Sequence, residues 1–281
     1  MLCDLDSVVG EPRVCVATQT RIEEPALTSP FAPESLAGKR VLVTGSSRGI
    51  GADTVSYFAA GGASVVINFR NKEARALKLA DAIRAAGGTA ITAGADLTDP
   101  DSVDELFATI SSAYGGLDIL VLNASGGMES GMAADYATQL NKDAQVRVLE
   151  KALPLLAPGS RVVFVTSHQA HFIATTPTMP EYEPVALSKR AGEDALRERI
   201  PELEAKGIGF VVVSGDMIEG TITATLLERA NPGAISARKD AAGRLYNVSE
   251  FAAEVASAAV NPIPTDHTVL VGDVTDFVAG A

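Results

Sequence analysis

Residues 44–51 (TGSSRGIG) form the stretch of this sequence whose residue types are best suited to holding a phosphate. Glycine lets the backbone turn tightly and approach a ligand closely, and the residues that follow have the apolar spacing of a helix. The N-terminus of that helix would present unpaired N–H groups and the positive end of the helix dipole. We therefore predict a nucleotide phosphate site formed by Gly45, Ser46, Ser47, Arg48, Gly49, Ile50 and Gly51.

This loop lies between an apolar run and a helical pattern, and the rest of the chain repeats the alternation. Strands are predicted at residues 40–44, 63–69, 89–95, 117–123, 161–167, 209–214 and 268–272. Helices are predicted at residues 50–60, 72–86, 100–114, 139–156, 184–203 and 249–259. Strands that are apolar on both faces and alternate with amphipathic helices form a parallel sheet covered on both sides. The sequence thus predicts an α/β fold, a single doubly wound Rossmann-type domain with a seven-stranded parallel sheet.

Residues 1–37 do not follow this pattern. Four prolines interrupt every helix that could form there, because proline removes a backbone donor and fixes φ. We interpret the segment as an N-terminal extension, either an arm that reaches a neighbouring subunit or a disordered tail. Residues 38–281 then form the single nucleotide-binding domain.

Several motifs, in chain order, resemble those of the short-chain dehydrogenase/reductase (SDR) family. The glycine-rich loop resembles the family's cofactor signature, and Ser167, which ends the predicted fifth strand, matches its catalytic serine. Residues 123–126 (NASG) resemble its Asn-Ala-Gly motif, with Ser125 where glycine is usual, and Asn141 matches its catalytic-helix asparagine. The resemblance covers most of residues 38–275 and implies an oxidoreductase with a nicotinamide dinucleotide cofactor. It also implies cofactor contacts at Asp96, Leu97, Asn123 and Ala124.

The end of the second predicted strand indicates which nicotinamide cofactor binds. An acidic residue there would hydrogen-bond the ribose 2′-OH and select NAD, but residues 68–71 read Asn-Phe-Arg-Asn. Arg70 has a forked, permanently charged donor set that suits a phosphate, and Arg48 lies close enough to share the contact. We therefore predict NADP(H); the alternative is that Arg70 is a solvated loop residue. Further cofactor contacts are expected at Asn71, Lys189, Ile218 and Thr221.

In the SDR family, catalysis uses a tyrosine as acid and base beside a lysine, most often in a Tyr-x3-Lys motif. The ammonium group lowers the pKa of the phenol from about 10 toward working pH, so that the phenol can protonate an oxygen as hydride arrives. Lys189 fits the lysine, but four positions earlier stands Val185, which has no proton to give. Tyr182 stands seven positions before Lys189, and Pro184 in the first helical turn would place Tyr182 just outside the helix.

The Tyr-x6-Lys spacing resembles that of enoyl-acyl-carrier-protein reductases, and residues 182–189 (YEPVALSK) most resemble the NADPH-dependent enoyl reductase III branch. In enoyl reduction, hydride goes to a β-carbon while charge develops on a more distant thioester oxygen, which a tyrosine displaced outward can meet. The alternatives are a surface-loop tyrosine and a degenerate site. The expected catalytic residues are Asn141, Ser167, Tyr182 and Lys189.

Charge and composition limit the partners. The chain carries 35 acidic and 23 basic residues, and this net charge of −12 argues against nucleic acid or an anionic membrane as the main partner. Two cysteines form no disulfide framework, no Cys/His cluster has zinc spacing, and no apolar run is long enough to span a bilayer. We expect no metal, a small-molecule or acyl-thioester substrate, a cytoplasmic location and, from the family resemblance, a homodimer or homotetramer.

Two classes of function are compatible with these residues. The first is an NADPH-dependent oxidoreductase that transfers hydride to an enoyl or 3-oxoacyl thioester or to a related carbonyl compound. The second is a non-catalytic NADP(H)-binding sensor or scaffold, which the missing tyrosine at Val185 favours. In the long connection over residues 168–181, His168 and His171 are expected to be solvated, and residues 222–246 are expected to form the substrate lid.

Overall fold

The computed structural model describes residues 29–129 and 131–278. Within this part of the chain, seven parallel strands form one sheet in the order β3-β2-β1-β4-β5-β6-β7. The strands are β1 (Arg40–Val43), β2 (Ser64–Phe69), β3 (Thr89–Gly94), β4 (Leu117–Leu122), β5 (Leu156–Ser167), β6 (Gly209–Gly215) and β7 (Thr268–Val271). The predicted seven-stranded Rossmann-type sheet is confirmed.

Helices connect the strands. They are α1 (Gly49–Ala60), α2 (Glu73–Ala85), α3 (Pro100–Tyr114), α4 (Tyr136–Thr138), α5 (Ala144–Ala152), α6 (His168–His171), α7 (Glu183–Arg197), α8 (Ile200–Ala205), α9 (Ile222–Ala230), α10 (Ala234–Ala242), α11 (Val248–Ala258) and α12 (Thr275–Val278). A π-helical segment (Gln139–Asp143) joins α4 to α5, and a 3₁₀ turn (Leu153–Leu155) follows α5. None of these helices is both long and apolar enough to cross a membrane.

The two faces of the sheet are covered by different helices, so the domain has two apolar cores. Helices α1, α2 and α11 pack on one face, where Phe58 and Phe251 are fully buried. Helices α3, α5 and α7 pack on the other face, where Leu120 and Leu149 are fully buried. Because both faces of the central strands are covered, these strands are apolar on both sides.

Local signals fix the ends of α3, which matches its predicted bounds. Asp99 caps the helix by accepting a hydrogen bond from the N–H of Asp101 at 3.2 Å, and Pro100 occupies the first turn. Gly115 ends the helix with φ of +70°, a conformation that costs glycine little.

Two predicted helices are shorter than expected, and prolines are the reason. The helix predicted at residues 139–156 ends at Ala152, since Pro154 falls in the next turn, and β5 begins at Leu156 rather than at Arg161. The helix predicted at residues 184–203 divides into α7 and α8, with Pro201 in the first turn of α8.

Most of the predicted N-terminal extension, residues 1–28, lies outside the described residues. The remainder packs against the start of the domain. Phe31 stacks on Phe58 with ring centroids 5.7 Å apart, and Leu36 is buried in the same apolar core. Residues 31–36 therefore contribute to the core that lies under α1.

Burial predicts a contrast between two leucines of this fold. Leu120 lies in the centre of β4 with no exposed surface, whereas Leu77 on α2 is 42% exposed. We expect Leu120→Ala to lower the free energy of unfolding by about 2–5 kcal/mol, because it leaves a cavity in the core. Leu77→Ala should change it by less than about 0.5 kcal/mol. Urea denaturation of both variants tests this, and equal losses would contradict the assignment of the core.

Candidate functional site

The glycine-rich loop is fixed by side chains from the two strands that flank β1. The Asn68 side-chain oxygen accepts a hydrogen bond from the N–H of Gly45 at 3.0 Å. The Asn123 amide donates to the carbonyl of Thr44 at 2.8 Å, and the Thr44 hydroxyl accepts from the N–H groups of Asn123 and Ala124. These contacts hold the loop at the point where the strand order reverses, which is where α/β sheets bind ligands.

Gly51 cannot be replaced without moving this loop. A Cβ atom there would lie 2.6 Å from the Asn123 side-chain nitrogen and 2.8 Å from the carbonyl oxygen of Gly45. Gly45 and Gly49 have φ of +63° and +58°, which favours glycine at both positions. The three glycines therefore let the loop bring its backbone close to whatever occupies the cleft above it.

A cleft of about 650 Å³ lies above the loop and along the ends of β1, β2, β3 and β4. All predicted cofactor residues line it except Ser46, Lys189 and Ile218. Ser46 is fully buried: its hydroxyl donates to the carbonyl of Val43 at 2.7 Å and accepts from the N–H of Asn68 at 3.0 Å. The Ser46 side chain thus joins β1 to β2 and does not face the cleft.

Four basic residues line the cleft near the end of β2, namely Arg48, Arg70, Lys72 and Arg75. Arg70 donates a hydrogen bond to the hydroxyl of Tyr136 and lies 5.6 Å from the centre of its ring. Sequence reasoning missed Lys72 and Arg75. Their position at the start of α2, directly after the strand that selects the cofactor, was the available signal.

Asp96 also lines the cleft, and its carboxylate accepts hydrogen bonds from its own loop. One of its carboxylate oxygens accepts hydrogen bonds from the N–H and the hydroxyl of Thr98, at 3.0 and 2.7 Å. This local turn fixes the carboxylate beside Leu97 at the wall of the cleft.

A second, smaller cavity of about 130 Å³ adjoins the cleft, and the two share Ile50, Asn123, Ser125 and Thr221. Four further predicted site residues line this catalytic pocket, namely Ser167, Tyr182, Lys189 and Ile218. β5 ends at Ser167, and Tyr182 is the N-cap residue of α7, just outside the helix as the sequence predicts.

Within the catalytic pocket, the hydroxyl oxygens of Tyr182 and Ser167 lie 3.1 Å apart. Tyr182 is only 4% exposed, and burial raises the pKa of its phenol, an effect that the hydrogen bond with Ser167 partly offsets. The pKa of the phenol thus lies above its ordinary value, and the phenol holds its proton at neutral pH.

Lys189 lies in the second turn of α7, and its ammonium group is buried. Burial lowers the pKa of Lys189 to about 8, an effect that the Glu193 carboxylate opposes. Val185 is buried in an apolar cluster with Tyr182, Ala186 and others. Val185, at the position where the usual motif has tyrosine, therefore contributes to apolar packing.

The side chain of Asn141 makes structural contacts. Its side chain exchanges two hydrogen bonds with the backbone of Gly126, at 2.8 and 3.2 Å, and donates a third to the hydroxyl of Ser188 at 2.9 Å. It lies in the π-helical segment, is 1% exposed and lines neither cavity. Its side chain ties the loop after β4 to α7.

The prediction that His168 and His171 are solvated is wrong. His168 is fully buried, its Nδ1 lies 2.8 Å from the Ser214 hydroxyl, and burial lowers its pKa to about 4. The Nδ1 of His171 lies 2.8 Å from the carboxylate of Glu193, which is itself fully buried and also accepts from Arg197. The long connection folds back as α6 and docks on α7, which buries the His168 ring and leaves the His171 side chain 15% exposed.

Thr166 is a pocket residue that sequence reasoning missed. It is 3% exposed and lines the catalytic pocket, and its hydroxyl has no hydrogen-bond partner among the described residues. A buried hydroxyl without a partner is costly, so this group is available to a ligand or a water.

The family model described as short chain dehydrogenase matches residues 39–231. The chain belongs to this family. Hydroxynaphthalene reductase-like protein Arp2 of Metarhizium guizhouense is 35% identical to this SDR over 173 residues, which is 59% of this chain and 62% of that protein. The alignment thus spans less than two thirds of the length of this curated relative.

Two solved structures share the fold of this SDR. A short chain dehydrogenase from Burkholderia cenocepacia in complex with NADP is 28% identical, with a TM-score of 0.71 over 85% of this chain and 98% of that one. The angucycline C-6 ketoreductase LanV with bound NADP is 27% identical, with a TM-score of 0.67 over 82% of this chain and 91% of that one.

The lowered pKa of Lys189 predicts how stability depends on pH. The side chain has a pKa of about 8 in the folded protein and 10.5 as its ordinary value. Between these values the unfolded chain binds the extra proton, so the free energy of unfolding rises with pH across this window. Across this window, the free energy of unfolding of the wild type should rise by up to roughly 3 kcal/mol more than that of Lys189→Met.

Urea unfolding of the cofactor-free protein at several pH values between 7 and 10 measures this gain. Lys206→Met, which removes an exposed lysine, is the control and should follow the wild type. Parallel curves for the wild type and Lys189→Met would contradict the predicted pKa shift.

Proposed function

We propose that this chain is an NADPH-dependent reductase of a carbonyl compound, with Tyr182 as the proton donor. The observation that carries the proposal is the 3.1 Å distance between the hydroxyl oxygens of Tyr182 and Ser167, in a pocket that adjoins the nucleotide cleft. Two hydroxyls this close can both hydrogen-bond one carbonyl oxygen, as reduction of a C=O group requires.

Bound NADPH would supply a hydride to the carbonyl carbon, and the chain's own residues handle the proton and the developing charge. The Tyr182 hydroxyl donates its proton to the carbonyl oxygen, so that the product leaves as an alcohol. Ser167 donates a hydrogen bond to the same oxygen and orients it. Lys189, which is charged below a pH of about 8, stabilises the phenolate until solvent returns the proton.

The cleft suits NADP(H) in shape and in charge. Gly45, Gly49 and Gly51 of the glycine-rich loop line the cleft, where residues without side chains allow the close approach of a pyrophosphate. Arg48 and Arg70 line the side of the cleft at which the adenosine 2′-phosphate would bind. The NADP bound to both structural relatives supports the same choice.

The walls of the catalytic pocket favour an uncharged, apolar substrate. Met217, Ala224 and Leu227 are buried in one apolar cluster with Tyr182 and line the pocket. Lys189 is the one cationic residue among the described residues that line it. Since the relatives are a hydroxynaphthalene reductase-like protein and an angucycline ketoreductase, we propose a ketone on a fused-ring aromatic compound as substrate.

Reduction of an enoyl thioester is the second candidate, and the Tyr-x6-Lys spacing favours it. Tyr182 is the N-cap residue of α7 and lines the catalytic pocket, whereas position 185 lies in the first turn of the helix and does not line it. A displaced phenol can reach the thioester oxygen of an enoyl substrate while the β-carbon receives the hydride.

The proposed role of Tyr182 predicts a large and specific loss. Tyr182→Phe should lower kcat for a bicyclic ketone such as 2-tetralone by about 10³-fold, since it removes the proton donor. The dissociation constant of NADPH should change less than about threefold, because Tyr182 does not line the nucleotide cleft. Tyr246→Phe, which lies outside the catalytic pocket, is the matched control.

The same assay, run by NADPH absorbance, separates the candidates. If the enzyme reduces crotonyl-CoA or acetoacetyl-CoA but not 2-tetralone, the proposed substrate class changes from a ring ketone to an acyl thioester. Tight NADPH binding without turnover of any of the three would favour a non-catalytic sensor or scaffold. Unchanged kcat in Tyr182→Phe would refute the proposed proton donor.

Arg70 predicts the cofactor preference. Arg70→Ala should weaken NADPH binding by about tenfold or more and leave NADH binding nearly unchanged, because a charge-assisted hydrogen bond to phosphate is lost. Lys78→Ala removes an exposed charge from α2 outside the cleft and serves as the control. Fluorescence titration with both cofactors measures the ratio, and equal weakening for both would contradict recognition of the 2′-phosphate by Arg70.

A further inference from the structure

The ion pair between Arg238 and Asp216 points to a function in the active site that neither the sequence motifs nor the catalytic residues account for. We infer that this pair holds helices α9 and α10 closed over the catalytic pocket, and that Arg238 is a positioning residue for substrate. We call α9 and α10 together the lid (residues 222–242). The inference rests on the proposed function for its kinetic part and on geometry for its structural part.

Every nitrogen of the Arg238 guanidinium group donates a hydrogen bond. Its Nε lies 2.9 and 3.0 Å from the two carboxylate oxygens of Asp216. Its two terminal nitrogens donate to Asp276 and, at 3.0 Å, to Asp273. Its charge also lies 5.4 Å from the centre of the Phe277 ring. One side chain of the lid is thus bound to both the end of β6 and the segment after β7.

Asp216 lies at the wall of the catalytic pocket, directly after β6. It is 5% exposed, and its N–H donates to the carbonyl of Val271 at 3.0 Å. One carboxylate oxygen also accepts from the N–H of Met217 at 2.7 Å. A Cβ at Gly272 would lie 2.9 Å from the Cβ of Asp216, so the segment after β7 fits closely against it. The carboxylate is therefore held rigidly.

The lid covers the proposed proton donor. Ala224 and Leu227 of α9 are buried in the apolar cluster that contains Tyr182, and Ile235 and Ala242 of α10 pack against it. This contact contributes to the 4% exposure of Tyr182. Movement of the lid away from the cluster would open the catalytic pocket to solvent and substrate.

The polar contacts of Arg238 matter because few apolar residues hold α10 against the domain. None of the residues of α10 is fully buried. The neighbouring Lys239 pairs with Glu219 at 3.0 Å, but both side chains are well exposed and such a pair contributes little. The Arg238 side chain is 12% exposed and Asp216 3%, so their pair is screened far less by water. The closed position of α10 therefore depends on Arg238.

Separation of this pair would leave the Asp216 carboxylate buried without its cation, which is unfavourable unless water enters. Opening of the lid is thus coupled to hydration of the pocket wall. The lid should open to admit substrate and release product, and it should close to exclude water during proton transfer.

Amide hydrogen exchange of the full chain, with and without NADPH, tests the structural part. Arg238→Gln should raise the exchange rate of amides in residues 222–242 by about tenfold or more. Arg238→Lys should raise it less, since lysine keeps the positive charge but cannot make the same set of hydrogen bonds as the guanidinium group. Lys239→Gln, the adjacent control, should change it less than about twofold. Asp216→Asn should reproduce the effect of Arg238→Gln.

Unchanged lid exchange in both Arg238 variants would overturn the inference. So would equally faster exchange in β4 and β5 in both of them, because the pair would then stabilise the whole domain and not the lid. These readouts need no turnover, so they decide the inference even if no ketone is a substrate.

Steady-state kinetics tests the positioning part. Arg238→Gln should raise the KM for the ketone by about tenfold, with a smaller change in kcat and less than about threefold change in the NADPH dissociation constant. A merely structural role would lower kcat through loss of folded enzyme and leave KM unchanged, and that result would overturn the assignment of Arg238 as a positioning residue. If the wild type itself reduces no substrate, the proposed function fails and the exchange result stands alone.

Discussion

The hydrogen bonds between the ends of β1 and β4 are the contacts on which the site depends. Between β1 and β4 the strand order reverses, so the helices that follow them lie on opposite faces and leave a crevice. The Thr44 hydroxyl bridges this crevice by accepting from two successive N–H groups after β4, and Asn123 returns a hydrogen bond to the Thr44 carbonyl. Without them the loop could not stay at the positive φ values that expose its backbone.

The position of Tyr182 follows from a second constraint, the buried Glu193 on α7. A buried carboxylate needs compensation, and Glu193 receives it from Arg197 on its own helix and from His171 on α6. This contact docks the long connection that begins after Ser167 onto the helix that carries Lys189. The connection must then return to the N-terminus of α7, which brings Tyr182 back to Ser167. Glu193 therefore stabilises the geometry that places Tyr182 beside Ser167.

The sheet was predictable from the sequence because its signals are local. Strand length, apolar runs and Gly or Pro at the ends suffice for β1 to β7, and the motif spacing was enough to bring Ser167, Tyr182 and Lys189 into one pocket. The burial of Glu193 and the orientation of Ser46 could not be predicted, because both depend on residues that are distant in the sequence. Glu193 sits in a helix rich in charges of both signs and looks solvated until His171, 22 residues away, is placed beside it. Ser46 resembles a phosphate ligand within its loop, and only the packing of β2 turns its hydroxyl inward.

The distribution of charge explains how a protein with a net charge of −12 can offer a site for an anion. Arg190, Arg197 and Arg238 each form ion pairs with carboxylates within 4.0 Å, and these pairs stabilise α7 and the lid. Among the described residues, the four basic residues that line the nucleotide cleft form no such pair. A cation that is not paired with a carboxylate is not neutralised locally. It therefore keeps its attraction for a phosphate. Acidic residues thus neutralise many of the basic groups that hold the fold together, whereas the four basic residues of the nucleotide cleft keep their positive charge for a phosphate.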